Sequence, residues 1–133
     1  MTSPALELQG AVVARLKADA ALNTLINARV YDNVPSDAVL PYVNFARDDV
    51  VQDDATCVTG YEINFGIDVW SDGVGYVEAK KIAHVVVKVL HNWDASLPTH
   101  SVVTLQHRQT RMFRDPDGLT SHGVVEFVAH VTK

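Results

Sequence analysis

A chain of 133 residues that is 47% hydrophobic and 20% charged reads as a folded globular protein, which excludes a disordered one. Folding at this length buries roughly two thirds of the unfolded surface, so no metal or disulfide is required, and Cys57 has no second cysteine to pair with. The formal charge of -5 sets the chain apart from proteins whose main task is to hold nucleic acid on a basic surface.

Ser3-Pro4 opens a helix, because a serine hydroxyl caps free amides and proline suits the first helical position. That helix runs from Pro4 to about Ala18: Leu8, Val12 and Leu16 recur every four residues and, with Ala5, Leu6 and Val13, oppose Gln9, Arg15 and Lys17. Asp19 is placed to cap a second, short helix through Leu22, Leu25 and Ile26. Arg29-Val30-Tyr31 is β-prone until Val34-Pro35 breaks it, and Pro41 opens a strand from Tyr42 to Ala46. From Asp48 to Gly60 neither period is visible, and Asp48, Asp49, Asp53 and Asp54 predict an acidic loop.

Strict alternation predicts a strand from Tyr61 to Ser71, with Ile63, Phe65, Ile67 and Val69 on the core side and Glu62, Asn64 and Asp68 on the polar side. The turn Ser71-Asp72-Gly73 leads into a helix from about Gly75 to Asn92, in which Val77, Ile82, Val85, Val86, Val89 and Leu90 keep a helical period. Ser101 to Arg114 and His122 to Val131 predict a hairpin around Asp115-Pro116-Asp117-Gly118. Its second strand alternates through Val125, Phe127, Ala129 and Val131, whereas its first is polar on both faces from Gln106 to Arg111. A strand wet on both sides either projects from its domain or is covered by another subunit. The element order predicts an α+β fold: an antiparallel or mixed sheet of about four to five strands with helices on one face, as a single domain over residues 1–133.

Catalytic and metal constellations are not evident. His84 and His91 stand seven residues apart without an HExxH pattern, and His100, His107, His122 and His130 are scattered along strands. Cys57 lies among acidic residues, which raise a thiol pKa rather than activate it. The aspartates do not follow the ligand order of an EF-hand, and Gly73-Val74-Gly75 is a turn before a helix rather than a phosphate loop. No enzyme, cofactor or metal role is therefore expected. The apolar runs fall far short of the ~20 residues of a membrane span, and the N-terminal segment lacks the basic and apolar regions of a signal peptide, so synthesis in the cytoplasm and no membrane contact are expected. Arg108, Arg111 and Arg114 form a basic stretch that could meet phosphate, pair with Glu126 across the hairpin, or meet acidic groups of a neighbour.

Three segments together resemble the tail completion, or tail terminator, family of long-tailed phages, prophages and gene transfer agents. They are Arg29-Val30-Tyr31-Asp32 with Val34-Pro35 and Pro41-Tyr42-Val43, then Val69-Trp70-Ser71 leading to Glu78-Ala79-Lys80 and Leu90-His91, and last Phe113-Arg114-Asp115-Pro116-Asp117-Gly118 with Thr120 and His122-Gly123-Val124. With the first helix the similarity covers nearly the whole chain. It implies a virion subunit at the head–tail junction that assembles as a ring, usually a hexamer, on the last ring of tail tube protein. Such a ring ends tube growth and meets a head-side connector, while DNA passes its channel without specific binding. The resemblance brings no catalytic residues.

On this reading Gln106, Arg108, Gln109, Arg111 and Arg114 are expected at a subunit or partner interface. Glu62, Asn64, Asp68, Asp48, Asp49, Asp53 and Asp54 are expected to face the channel, where acidic walls let DNA slide. Two other readings stay open: another connector or tube component of the same particle, and a small ligand-binding or hydrolytic α+β domain.

Overall fold

The computed structural model describes residues 2–133. Helix α1 (Pro4–Ala18) begins where Ser3 Oγ accepts the Leu6 N–H at 3.0 Å, and it turns Leu8, Val12 and Leu16 inward. Asp19 ends α1 and starts α2 (Ala20–Ile26), its carboxylate accepting the Leu22 N–H at 2.9 Å. Helix α3 (Val77–Leu90) contributes Ala79, Ile82, Ala83, Val86, Val89 and Leu90 to the core. It is flanked by Gly75 and Asn92, both at positive φ, which close the longer span predicted from Gly75 to Asn92.

Strands β1 (Val30–Tyr31), β2 (Tyr42–Gln52), β3 (Gly60–Ser71), β4 (Ser101–Arg114) and β5 (Ser121–Thr132) form one sheet in the order β1-β2-β3-β5-β4. β1 runs parallel to β2 and every other pairing is antiparallel, so the α+β class and the mixed sheet are both realised. The helices cover the face carrying Ile63, Phe65, Ile67 and Val69, which join the buried side chains of α1, α2 and α3 in one cluster. Across this face runs a row of rings: Phe45 stacks on Phe65 at 5.4 Å, Phe65 on Phe127 at 5.3 Å, and His107 meets Phe127 edge-on at 5.6 Å.

One predicted element is corrected. The expected loop from Asp48 to Gly60 is half strand: β2 continues to Gln52, with Asp48 opposite Phe65 and Gln52 opposite Tyr61 after a register shift between Phe45 and Asp48. Arg47 to Gln52 are exposed, so no apolar alternation marks them; backbone pairing with β3 alone makes them a strand. The loop shrinks to residues 53–59.

Glu7 on α1 is buried and ties the helix to the segment before β4. Its carboxylate accepts the Thr99 N–H at 2.8 Å and the Thr99 hydroxyl at 2.5 Å, and lies 3.1 Å from His100 Nδ1. Burial alone would raise the Glu7 pKa; the Thr99 bonds, with His100 behind them, outweigh it and hold the carboxyl below its ordinary value of 4.5. A carboxyl lowered in the folded state stabilises the fold above that ordinary value and ceases to do so as pH falls through the lowered one. The melting gap between the wild type and Glu7→Gln should therefore be widest near neutrality and narrow as the pH falls below 4.5. A gap that stays constant across that range would mean the carboxylate is not stabilised by these contacts.

Candidate assembly surface

The face of the sheet turned away from the helices is built by alternate residues of four strands. Pairing sets Asn44 beside Asp68, Asp49 beside Asn64, Trp70 beside His122, Glu126 beside Gln109 and Val124 beside Arg111. These side chains lie open or half-exposed, and the polar ones among them hydrogen-bond across the strands.

Three groups are joined in a row. His122 Nε2 lies 2.9 Å from Asp68 Oδ1, its ring stacks on Trp70 at 3.8 Å, and Phe113 meets it edge-on at 4.7 Å, while Trp70 Nε1 donates to Asn44 Oδ1 at 2.9 Å. Glu126 accepts from Gln109 Nε2 and from Arg111 Nη2 at 2.9 Å. The Gln109 hydrogen bond, followed by the charge of Arg111, holds the Glu126 carboxyl below its usual range despite some burial. Arg108 occupies a second irregularity, between His107 and Gln109, and crosses β5 to donate to Asn64 Oδ1 at 3.1 Å; Asn64 in turn donates to Asp49 Oδ1 at 3.0 Å. The result is a shallow hollow of about 750 Å³ bordered by Asp49, Asn64, Asp68, Arg108, Arg111 and Glu126.

The residues singled out from sequence are thus partly brought together. Glu62, Asn64, Asp68 and Asp49 share the open face with Gln106, Gln109 and Arg111, and Arg108 reaches onto it. Four stand apart from it. Asp48 pairs with Phe65 and so belongs by register to the other side; Arg114 pairs with Ser121 and lies over the Tyr76 ring at 5.0 Å; Asp53 opens the loop at the end of the sheet. Asp54 is also in that loop, where hydrogen bonds from Gln52 and from the Gly60 N–H hold its carboxyl below the usual range. Of the readings open for the arginines, the pairing of Arg111 with Glu126 is formed.

Trp70 and His122, named only in the resembling segments and among the scattered histidines, were not expected as site residues, although alternation from Asn64 through Asp68 already places Trp70 on the polar side. Among the described residues no group of three or more His, Cys, Asp and Glu side chains is placed to hold a metal ion. No helix among them is long and apolar enough to cross a membrane.

Over its full length the fold matches a chain from the virion of a native gene transfer agent particle, with a TM-score of 0.93, 29% sequence identity and 100% of both chains covered. This likeness makes the α+β chain, with its helix-covered face and open polar one, a structural protein of the virion class. The family model for tail completion protein gp17 matches residues 10–132, and the chain belongs to that family of tail proteins. No curated protein matches it.

Proposed function

We propose that the chain is the subunit of a ring, six copies in the family pattern, that caps the tail tube, ends its polymerisation and joins it to the head-side connector. The observation that carries this is the full-length match to a virion chain together with membership of the tail completion family. The role asks for binding surfaces and no bond chemistry, so the chain acts without catalysis, cofactor or metal. Closed rings use heterologous interfaces, in which two different patches of one subunit meet. The polar edge strand β4, with Gln106, Arg108, Gln109, Arg111 and Arg114, suits such a contact.

In this reading Glu62, Asn64 and Asp68 belong to the channel wall, and the net charge of -5 keeps passing DNA from adhering. Deleting the gene tests the assignment. Unjoined heads and tails of irregular length in electron micrographs are the expected result, restored to normal by the gene in trans. Joined particles with tails of uniform length would overturn it, absence of tails altogether would point to a tube component, and finished tails beside leaking heads would point to the connector.

A further inference from the structure

We infer that the two edges of the sheet pair with each other between neighbouring copies, the end of β4 in one copy lying against the end of β2 in the next. This rests on the ring reading above and names the contact that would build it.

Both sheet edges are half covered. Along β4 the connection from α3 shields the first part: the Asn92 N–H donates to the Leu105 carbonyl at 2.8 Å, the His107 N–H donates to His91 Nδ1 at 3.0 Å, and Ser96 bridges to Ser101. Beyond His107 no described element lies along that edge. On the opposite edge β1 covers only Val43 and Asn44, and Arg47 to Gln52 are left exposed, with Val50 and Val51 at 44% and 50%. Bare strand edges of this length are templates for pairing with another chain.

The bare stretches carry opposite charge. Residues 108–114 contain Arg108, Arg111 and Arg114 and no acid, whereas residues 47–54 contain Asp48, Asp49, Asp53 and Asp54 against the single Arg47. The Asp48 carboxylate has no hydrogen-bond partner among the described residues, and the bonds of Asp49 and Arg108 to Asn64 are exposed, so they exchange readily for contacts with a neighbour. An identical chain is therefore the partner that supplies each edge with its complement.

Direction and register agree. From β2 through β3 and β5 to β4 the strands alternate, so β2 and β4 run oppositely and a copy placed beside β4 by rotation presents its β2 antiparallel to it. Asp49 is level with Gln106 through Asn64 and Val128, so a slip of four paired positions, counted past the bulge at Arg108, sets Asp49 against Arg111 on the open face. An even slip keeps every side chain on its own face. A slip of that size across four strands is the stagger that closing a tilted sheet into a ring requires.

The test uses two purified double variants, Asp48→Lys with Asp49→Lys and Arg108→Glu with Arg111→Glu, followed by light scattering over a concentration series. Each alone should weaken self-association on the order of tenfold or more, with melting close to wild type. An equimolar mixture should recover it, because the reversed edges match each other and the untouched edges still match. The milder pair Asp48→Asn and Asp49→Asn should fall between. Recovery only in the mixture supports the pairing. A wild type that stays monomeric, self-association indifferent to both reversals, or a mixture that does not recover would each overturn it. The deletion phenotype is a separate readout: edge-dependent association with normal particles in the deletion strain would end the capping reading and leave the pairing in place.

Discussion

Replacing Phe65 by alanine should lower the stability of the isolated chain by about 3–5 kcal/mol, the range for deleting a buried aromatic side chain. Phe65 is 3% exposed and is an inner ring of the row from Phe45 to His107, stacked at 5.4 Å on one side and 5.3 Å on the other. Its loss removes apolar burial and both ring contacts, and leaves a cavity that its neighbours on β2 and β5 would have to collapse to fill. Phe45→Ala should cost less, because Phe45 has Phe65 on one flank only and is 6% exposed. Chemical denaturation of the two variants measures the difference. A loss below about 1 kcal/mol for Phe65→Ala is what a surface substitution gives, and it would reject the assigned core face.

Gly60→Ala should also destabilise the chain, by about 1–3 kcal/mol, for a steric reason rather than a cavity. A Cβ at this position would stand 2.3 Å from the Asp53 carbonyl oxygen, and backbone cannot swing aside as a flexible side chain can. That carbonyl belongs to the residue whose N–H donates to the Gly60 carbonyl at 2.9 Å, and the Gly60 N–H donates to Asp54 at 3.0 Å. Relieving the clash therefore opens the root of the β2–β3 hairpin. Amide hydrogen exchange should show faster exchange at Asp53 and Gly60 with β5 unaffected; unchanged protection at both would show that the hairpin root absorbs the methyl group.

The parts of the fold that bury one face were legible in the sequence. Leu8, Val12 and Leu16 mark α1, the alternation from Tyr61 to Val69 marks β3, and Val125, Phe127, Ala129 and Val131 mark β5, because a core on one side only imposes a period on the residues facing it. The second half of β2 was hidden because Asp48 to Gln52 bury nothing, and backbone pairing leaves no compositional trace. The Glu7 contact with Thr99 joins residues 92 positions apart, a distance over which local periodicity carries no information. For the surface, the polar character of Gln106 to Arg111 was visible. The bulge that sends Arg108 across β5, and the stacking of Trp70 on His122, depend on strand order and register, which neighbouring residues do not specify.

Strand order also dictates when the molecule can become competent. β5 follows every other strand in sequence yet lies between β3 and β4, so the middle of the sheet stays vacant until Ser121 to Thr132 insert. β4 has no other strand partner in the sheet, and β3 has only β2 before that event. The hairpins β2–β3 and β4–β5 are local, but joining them requires the long-range pairing of β3 with β5, which slows folding relative to a meander of equal size. The same order acts as a timer: until Ser121 to Thr132 are in place, β4 lacks its strand partner and the sheet edge it would offer a neighbour does not exist.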